Sequence, residues 1–212
     1  QIDHEIVVIN DNSKDNTLGL LTTIQQTIPS LVVHTNHGPN GFGYAIRYGL
    51  ERFQGDCVAI MMSDLSDDPA DLVAFYRKMV AENLDCVFGS RFIRGGATYD
   101  YPKHKYLINR FANTLIRLLL GMSYNDSTNA FKLYKKSTIL GLKPFLSAHF
   151  NLTIELPLKA IIRGYSYGVL PNSWRNRKAG ESNLKIKEMG SRYLFILLYV
   201  IIEKYLSRND YL

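Results

Sequence analysis

Cysteine is scarce in this sequence: two in 212 residues, Cys57 and Cys86, each inside an apolar run. Two such thiols make no disulfide framework and are expected to be buried and reduced. None of the five histidines has the H-x-x-x-H or H-E-x-x-H spacing that holds zinc. No G-x-S-x-G elbow is present, which removes one large hydrolase class. Apolar runs stop short of the ~18–20 residues of a spanning helix, and no signal-peptide pattern opens the sequence. Linker-like, repetitive and low-complexity tracts are also missing, so residues 1–212 read as a single domain. Asn125-Asp126-Ser127 and Asn151-Leu152-Thr153 match the glycosylation sequon, a chance match in a chain expected to be cytoplasmic.

What is present suits a globular fold: 46% hydrophobic residues can bury a real core, and the net charge is +6. A basic balance suits phosphates, nucleotides or acidic lipid; nucleic acid has only that charge in its favour and is set aside. Glu5 to Ile9, Leu31 to Val33, Cys57 to Met62 and Asp85 to Ser90 read as buried strands. Helical stretches from Asn16 to Ile28, from Gly43 through Phe53, and beginning at Pro69 separate them. Strand alternating with helix predicts an α/β, doubly wound and mostly parallel sheet, with helices on both faces. Ligands in such sheets lie beyond the carboxyl ends of the strands, where Asn10-Asp11, Asp64 and Arg91 fall. The second half reads as α-rich: helices around His104–Leu120, Leu152–Arg163 and Lys187–Leu206, a short segment Thr128–Tyr134, and a strand near Tyr167–Leu170.

Met62-Ser63-Asp64-Leu65-Ser66-Asp67-Asp68-Pro69 is the most informative stretch. Carboxylates just after a buried strand suit Mg²⁺ or Mn²⁺, which take oxygen ligands and bridge to phosphates. Acids at a helix start also suit the helix dipole, and Asp67 and Asp68 divide evenly between the two readings. Gly38-Pro39-Asn40-Gly41-Phe42-Gly43 looks like a phosphate loop but lacks the last glycine of G-x-G-x-x-G and any Walker lysine. A tight turn into a helix is the better reading of it. Arg175, Arg177, Lys178, Lys185 and Lys187 crowd around Gly180-Glu181-Ser182, a cluster able to close over a diphosphate or simply to face solvent.

The order of these motifs resembles the GT-A glycosyltransferases of family two, and within them the dolichyl-phosphate mannosyltransferase type. Ile9-Asn10-Asp11-Asn12-Ser13-Lys14-Asp15-Asn16-Thr17 stands where that family carries V-D-D-G-S-x-D-G-T. Asn40-Gly41-Phe42-Gly43, Ala45 and Gly49 match N-x-G-x-x-x-A-x-x-x-G. Met62-Ser63-Asp64 occupies the D-x-D position, with Ser66 at a third position often filled by Gln. Gly89-Ser90-Arg91-Phe92, Asn109-Arg110-x-x-Asn113 with Arg117, and Asp126 to Lys132 are similar to the acceptor-side motifs. Glu155 matches the acid of F-x-x-x-x-E, and Arg177, Gly180 and Ser182 match R-x-x-G-x-S-K. Two departures are chemical: Met62 replaces one acid of D-x-D, and Asn183 replaces the lysine, with Lys185 close enough in sequence to substitute. A P-x-Y-N-E strand–helix unit of roughly 25–35 residues has no counterpart, so Gln1 is expected to be internal to a longer protein.

The resemblance implies an inverting enzyme that moves a sugar from a GDP- or UDP-sugar to a polyprenyl phosphate. Asp11, Ser13, Asn40 and Gly41 would contact the donor, Asp64 would hold Mg²⁺ or Mn²⁺, and Arg177, Ser182 and Lys185 would clamp the diphosphate. Arg91, Arg110 and Arg117 would hold the acceptor anion. A phosphate acceptor, with its second pKa near ~6, needs no strong base; a sugar hydroxyl would need one, with Asp126 or Glu155 as candidates. Two competing readings are a transferase acting on saccharide acceptors and a non-catalytic nucleotide-sugar binding subunit. Residues 1–100 would then form the nucleotide-sugar half, 101–186 the acceptor half, and 187–212 a C-terminal helix. That helix carries the unbroken apolar run Tyr193 to Ile202 flanked by cations, which suits a peripheral seat at the cytoplasmic membrane face. Core packing or a homo-oligomer contact is the rival reading of the same run.

Overall fold

A computed structural model describes residues 2–177 and 186–207. Two parallel strands open it, β1 (Ile6–Asn10) and β2 (Leu31–Thr35), joined through α1 (Thr17–Gln25) and paired in register from Ile6↔Leu31 to Asn10↔Thr35. Helix α2 (Phe42–Leu50) leads to β3 (Cys57–Ile60), and α3 (Pro69–Ala81) to β4 (Cys86–Ser90). The chain goes on through β5 (Ala97–Tyr99), α4 (Lys103–Leu120), β6 (Lys132–Lys135), α5 (Lys136–Gly141) and α6 (Leu152–Ile162). It finishes with β7 (Tyr167–Pro171), β8 (Ser173–Arg175) and α7 (Ile186–Leu206).

The main sheet runs β3-β6-β4-β7. β4 and β7 are parallel, while β6 inserts antiparallel between β3 and β4. That reversed strand is the short segment the sequence left unassigned. The sheet is covered on both faces because its side chains alternate. Cys86 and Phe88 point into a cluster with Leu50, Phe53, Tyr134, Ile139 and Leu156. Val87 and Leu133 point the other way, against Phe75 and Met79 of α3. Phe88 is fully buried, its ring 5.0 Å from Tyr124 and stacked 5.3 Å from Tyr167. Among the described residues β1 pairs only with β2 and β3 only with β6, leaving each one free edge.

Local chemistry sets the helix ends. Asp68 caps α3 by accepting the Ala70 N–H, with Pro69 at the first turn where its missing donor costs nothing. Gly121 ends α4 in the left-handed region at φ 57°. A third cluster joins α4, α6 and α7 through Ile116, Leu120, Ile154, Leu158, Ile196 and Val200. A buried ion pair, Arg163 with Glu203, bolts α6 to α7. One face of α7 is therefore core. The other face is not: Leu194, Phe195, Leu198, Ile202 and Tyr205 stay exposed. No described helix is long and apolar enough to cross a membrane.

Candidate active site

The strand ends bring the sequence candidates together in two groups. The first is held by Asp11, whose carboxylate accepts the Asn36 side-chain amide at 2.7 Å and the Gly41 backbone N–H at 2.7 Å. Asn12, in the left-handed region at φ 58°, donates to Asn40. Ser13 is drawn in by its N–H bond to the Asn10 carbonyl oxygen of the side chain. Asp11 thus ties the β1–α1 turn to the β2–α2 turn. Gly41 sits at φ 146°, where a side chain is strained, and a Cβ on Gly43 would lie 2.4 Å from the Ala148 carbonyl carbon. These glycines serve a tight turn butted against residues 148–149, not an open phosphate cradle.

Asp64 follows β3 and is only 16% exposed in its side chain. One oxygen accepts the Ser66 N–H; the other lies 3.0 Å from the Arg177 guanidinium. Asp68 and Asp71 are structural, the first as the α3 cap and the second accepting the Ser173 N–H. Asp67 is different. It is buried, bridged to Trp174 through the backbone, and its carboxyl is pushed up to about 6. Burial is the main cause, the negative charges of Asp64 and Asp71 add to it, and Arg91 and Lys132 oppose it. No group of three metal-ligating side chains occurs among the described residues. The donor set is a single hard carboxylate, which suits Mg²⁺ or Mn²⁺ only when phosphate oxygens and water complete the sphere.

The second group corrects the sequence assignment. Asp126 is wholly buried and accepts three bonds from Arg91: the backbone N–H and Nε at 2.9 Å each, and Nη2 at 2.7 Å. Its lone pairs are committed, so it is a support rather than a general base. Arg91, itself 8% exposed, is spent in the same pair, which raises its pKa further, and it does not face solvent as an anion clamp. Glu155 is likewise no base. It is fully buried and accepts the N–H groups of Leu146 and Ser147 and the Lys159 ammonium, each at 2.7 Å. It pins the loop before α6.

Arg110 fits the anion role better. It is partly exposed, lies 4.4 Å over the Phe92 ring and touches the Asn125 carbonyl at 3.3 Å. Arg117 shares that flank of α4 but is two turns away, exposed at the helix end. Asn109 and Asn113 both bond the Thr128 hydroxyl and so dock the Asp126 loop onto α4. Ser182 and Lys185 lie outside the described residues.

Lys132, the last residue of the Asp126–Lys132 segment, joins the site unannounced by any motif chemistry. Its ammonium is wholly buried and donates to the carbonyls of Ser127, Asn129 and Thr153. Burial drives its pKa down to about 7, against the pull of Asp126 and Asp67. Arg91, Asp126, Lys132 and Asp67 form one buried charge cluster beneath the strand ends. The signal for Lys132 was a lone cation in the apolar run Phe131-Lys132-Leu133-Tyr134.

The family model described as glycosyl transferase family 2 matches residues 1–140. The polyprenol monophosphomannose synthase of Mycolicibacterium smegmatis is 28% identical over 188 residues, covering 84% of this chain and 69% of that protein. The dolichol-phosphate mannosyltransferase of Pyrococcus furiosus is 26% identical over 189 residues, covering 88% of this chain and 52% of the relative. In fold, the glucosyl-3-phosphoglycerate synthase of Mycobacterium tuberculosis, crystallised with phosphoglyceric acid, superposes at TM-score 0.63 with 18% identity, over 93% of this chain and 69% of that one. The same enzyme crystallised with Mn²⁺, UDP-glucose and phosphoglyceric acid gives 0.61 at 17% identity, over 92% and 68%. A match over residues 1–140 takes in the turn at Asp11, Asp64 and the Arg91–Asp126 pair, and it places this chain in glycosyl transferase family 2.

Proposed function

We propose that the protein transfers a sugar from a nucleotide-sugar to a polyprenyl phosphate at a membrane surface, with inversion of the anomeric centre. The observation that carries the acceptor class is the commitment of Asp126 and Glu155. Both carboxylates expected to activate a sugar hydroxyl are consumed by internal hydrogen bonds. A phosphate monoester arrives ionised and needs neither of them. Arg110 offers its cation on that side, and the Mycolicibacterium and Pyrococcus relatives bear names of polyprenol and dolichol phosphate chemistry.

Asp64 would hold Mg²⁺ or Mn²⁺ together with the donor diphosphate, and the metal would supply charge neutralisation for the leaving nucleotide. Arg177, now on Asp64, stands where a diphosphate oxygen competes for its guanidinium. Asp11 orders the turn that receives the nucleoside of a GDP- or UDP-sugar. Arg91 and Asp126 act as the rigid floor beneath the acceptor. The exposed faces of α7 and α4 support peripheral seating at the cytoplasmic membrane face: Leu194, Phe195 and Leu198 on one, Leu107, Phe111 and Leu118 on the other.

A saccharide acceptor is the second reading, and Asp67 favours it: a carboxyl held near 6 is suited to proton transfer at neutral pH. Incubating full-length protein with radiolabelled nucleotide-sugars, Mn²⁺ and undecaprenyl phosphate separates the two. Label passing into a butanol-soluble product, stable in the Asp67→Asn variant, supports the lipid acceptor. Label that stays water-soluble on an added oligosaccharide refutes it.

A further inference from the structure

Pro157 sits inside α6, where it removes one N–H from the helix ladder. The carbonyl that N–H would serve lies four residues back, on Thr153, a buried residue of the first turn. Its bond comes from outside the helix: the Lys132 ammonium donates to it at 3.2 Å. The same ammonium donates to the carbonyls of Ser127, at 3.1 Å, and of Asn129. Three N–H groups thus meet three carbonyl oxygens.

The root of this side chain is fixed. Lys132 opens β6, and its backbone lies in register with Ile60 of β3 on one side and Phe88 of β4 on the other. Ser127 and Asn129 belong to the loop that carries Asp126, the buried partner of Arg91. The same loop follows Asn125, whose carbonyl meets Arg110. On the α6 side, Thr153 is close to Glu155, which pins the N–H groups of Leu146 and Ser147. Ala148, next in the chain, is pressed against Gly43 in the turn tied to Asp11. One ammonium therefore links the acceptor side to the loop behind the donor turn.

We infer that Lys132 is a positioning residue, a charged clasp that supplies the donor Pro157 lacks and so ties the Asp126–Asn129 loop to α6. Wholly buried, it acts through others, setting where Arg110 and the Arg91–Asp126 pair stand. The clasp is independent of the substrate; its effect on the acceptor rests on the polyprenyl phosphate reading above.

Loss of the proton opens the clasp. A neutral amine has two N–H groups for three carbonyls and turns a lone pair on the third. Burial brings that loss down to about 7; Asp126 and Asp67 oppose the lowering and Arg91 adds to it. The neighbouring groups change elsewhere. Asp67 titrates at about 6, Tyr193, which bonds Thr153 from α7, at about 12, and Tyr124, its ring 5.9 Å from the ammonium, well above 10. Glu155 and Lys159 of α6 are paired with each other. Overall stability responds in the opposite sense. The unfolded chain keeps the Lys132 proton up to 10.5, so the fold gains stability as pH rises from 7 toward that value.

Hydrogen exchange of the full-length protein, corrected for intrinsic rates, tests the clasp without substrate. The N–H groups of Thr128, Asn129 and Phe131 are bonded to Asn113, Asp126 and Asn129. Between about pH 6.5 and 8.5 they should lose about tenfold in protection while Tm holds or rises, a pairing that global unfolding cannot give. Lys132→Arg, charged throughout, should keep its protection. Equal protection of the parent at both pH values would overturn the clasp. In transfer to undecaprenyl phosphate, the acceptor KM should rise about tenfold over the same interval with the donor KM kept. Exchange that opens with an unmoved acceptor KM would refute the positioning role. Exchange that opens in a protein labelling no lipid phosphate sinks the acceptor reading and leaves the clasp standing. Pro157→Ala returns the missing N–H to α6 and should raise Tm more in Lys132→Met than in the parent. Equal gains would show that Thr153 does not depend on Lys132.

Discussion

Replacing Asp126 by Asn tests whether this acid supports the site or performs chemistry there. The wild-type carboxylate accepts three N–H groups of Arg91 with no exposure to water. An amide offers one oxygen, and its NH₂ faces donors. The variant also leaves Arg91 uncompensated, with the buried Lys132 ammonium as a second cation in the same cluster. Breaking one side of a buried ion pair costs about 3–5 kcal/mol, a fifth or more of a typical domain's roughly 5–15 kcal/mol. For a chain of this size each kcal/mol moves Tm by roughly 2–4 °C, so a fall of roughly 6–20 °C is expected. Circular dichroism melts and urea titrations would read it. The double variant Arg91→Met, Asp126→Leu should recover the part of the loss that comes from the unpaired guanidinium, because an apolar pair needs no counter-charge, but not the part from the residue 91 backbone N–H, which loses its acceptor. An Asp126→Asn protein that melts within about 2 °C of the parent yet has lost transfer would refute the reasoning and make Asp126 a base.

Asp64→Asn should abolish transfer and its dependence on divalent metal while leaving the melting curve in place, since among the described residues Asp64 is bonded to Ser66 and Arg177 alone; near-parental turnover would remove it from the site. Asp67 predicts a pH effect on stability. Its folded pKa of about 6 lies above the 3.8 of a free aspartate, so the native state binds the extra proton between them. Stability is then full below about pH 4 and falls as pH rises to 6, by about 3 kcal/mol from this group. Urea titrations from pH 4 to 7 should lose that slope in Asp67→Asn; an unchanged slope would place the titration elsewhere. Flotation with anionic liposomes checks the membrane face: the full-length protein should rise at low salt, Phe195→Glu with Leu198→Glu should rise less, and an intact protein left at the bottom would make both stripes something other than a lipid contact.

Periodicity and punctuation alone located the strand–helix alternation and the strand-end placing of Asp11, Asp64 and Arg91, while family 2 was legible only through the likeness of the ordered motifs to that family's. These are local properties: an apolar run such as Cys57 to Ile60 needs cover on both faces wherever it sits, and Asp68-Pro69 starts a helix in any context. Pairing is not local. Only the assembled sheet set β6 antiparallel between β3 and β4, because nothing in Lys132 to Lys135 states its partner or direction. The same holds for the acids. Asp67, Asp126 and Glu155 look alike as letters, yet burial without a bonded cation raised the first and hydrogen bonds to buried donors consumed the other two. A carboxylate's role depends on the solvent it loses and the donors that meet it. Those donors come from residues 35 positions away in one case and within nine in the other, distances that only the folded chain closes. Likewise the apolar run of α7 was visible as a run, but which of its sides is core was decided by α6 and α4 packing against it.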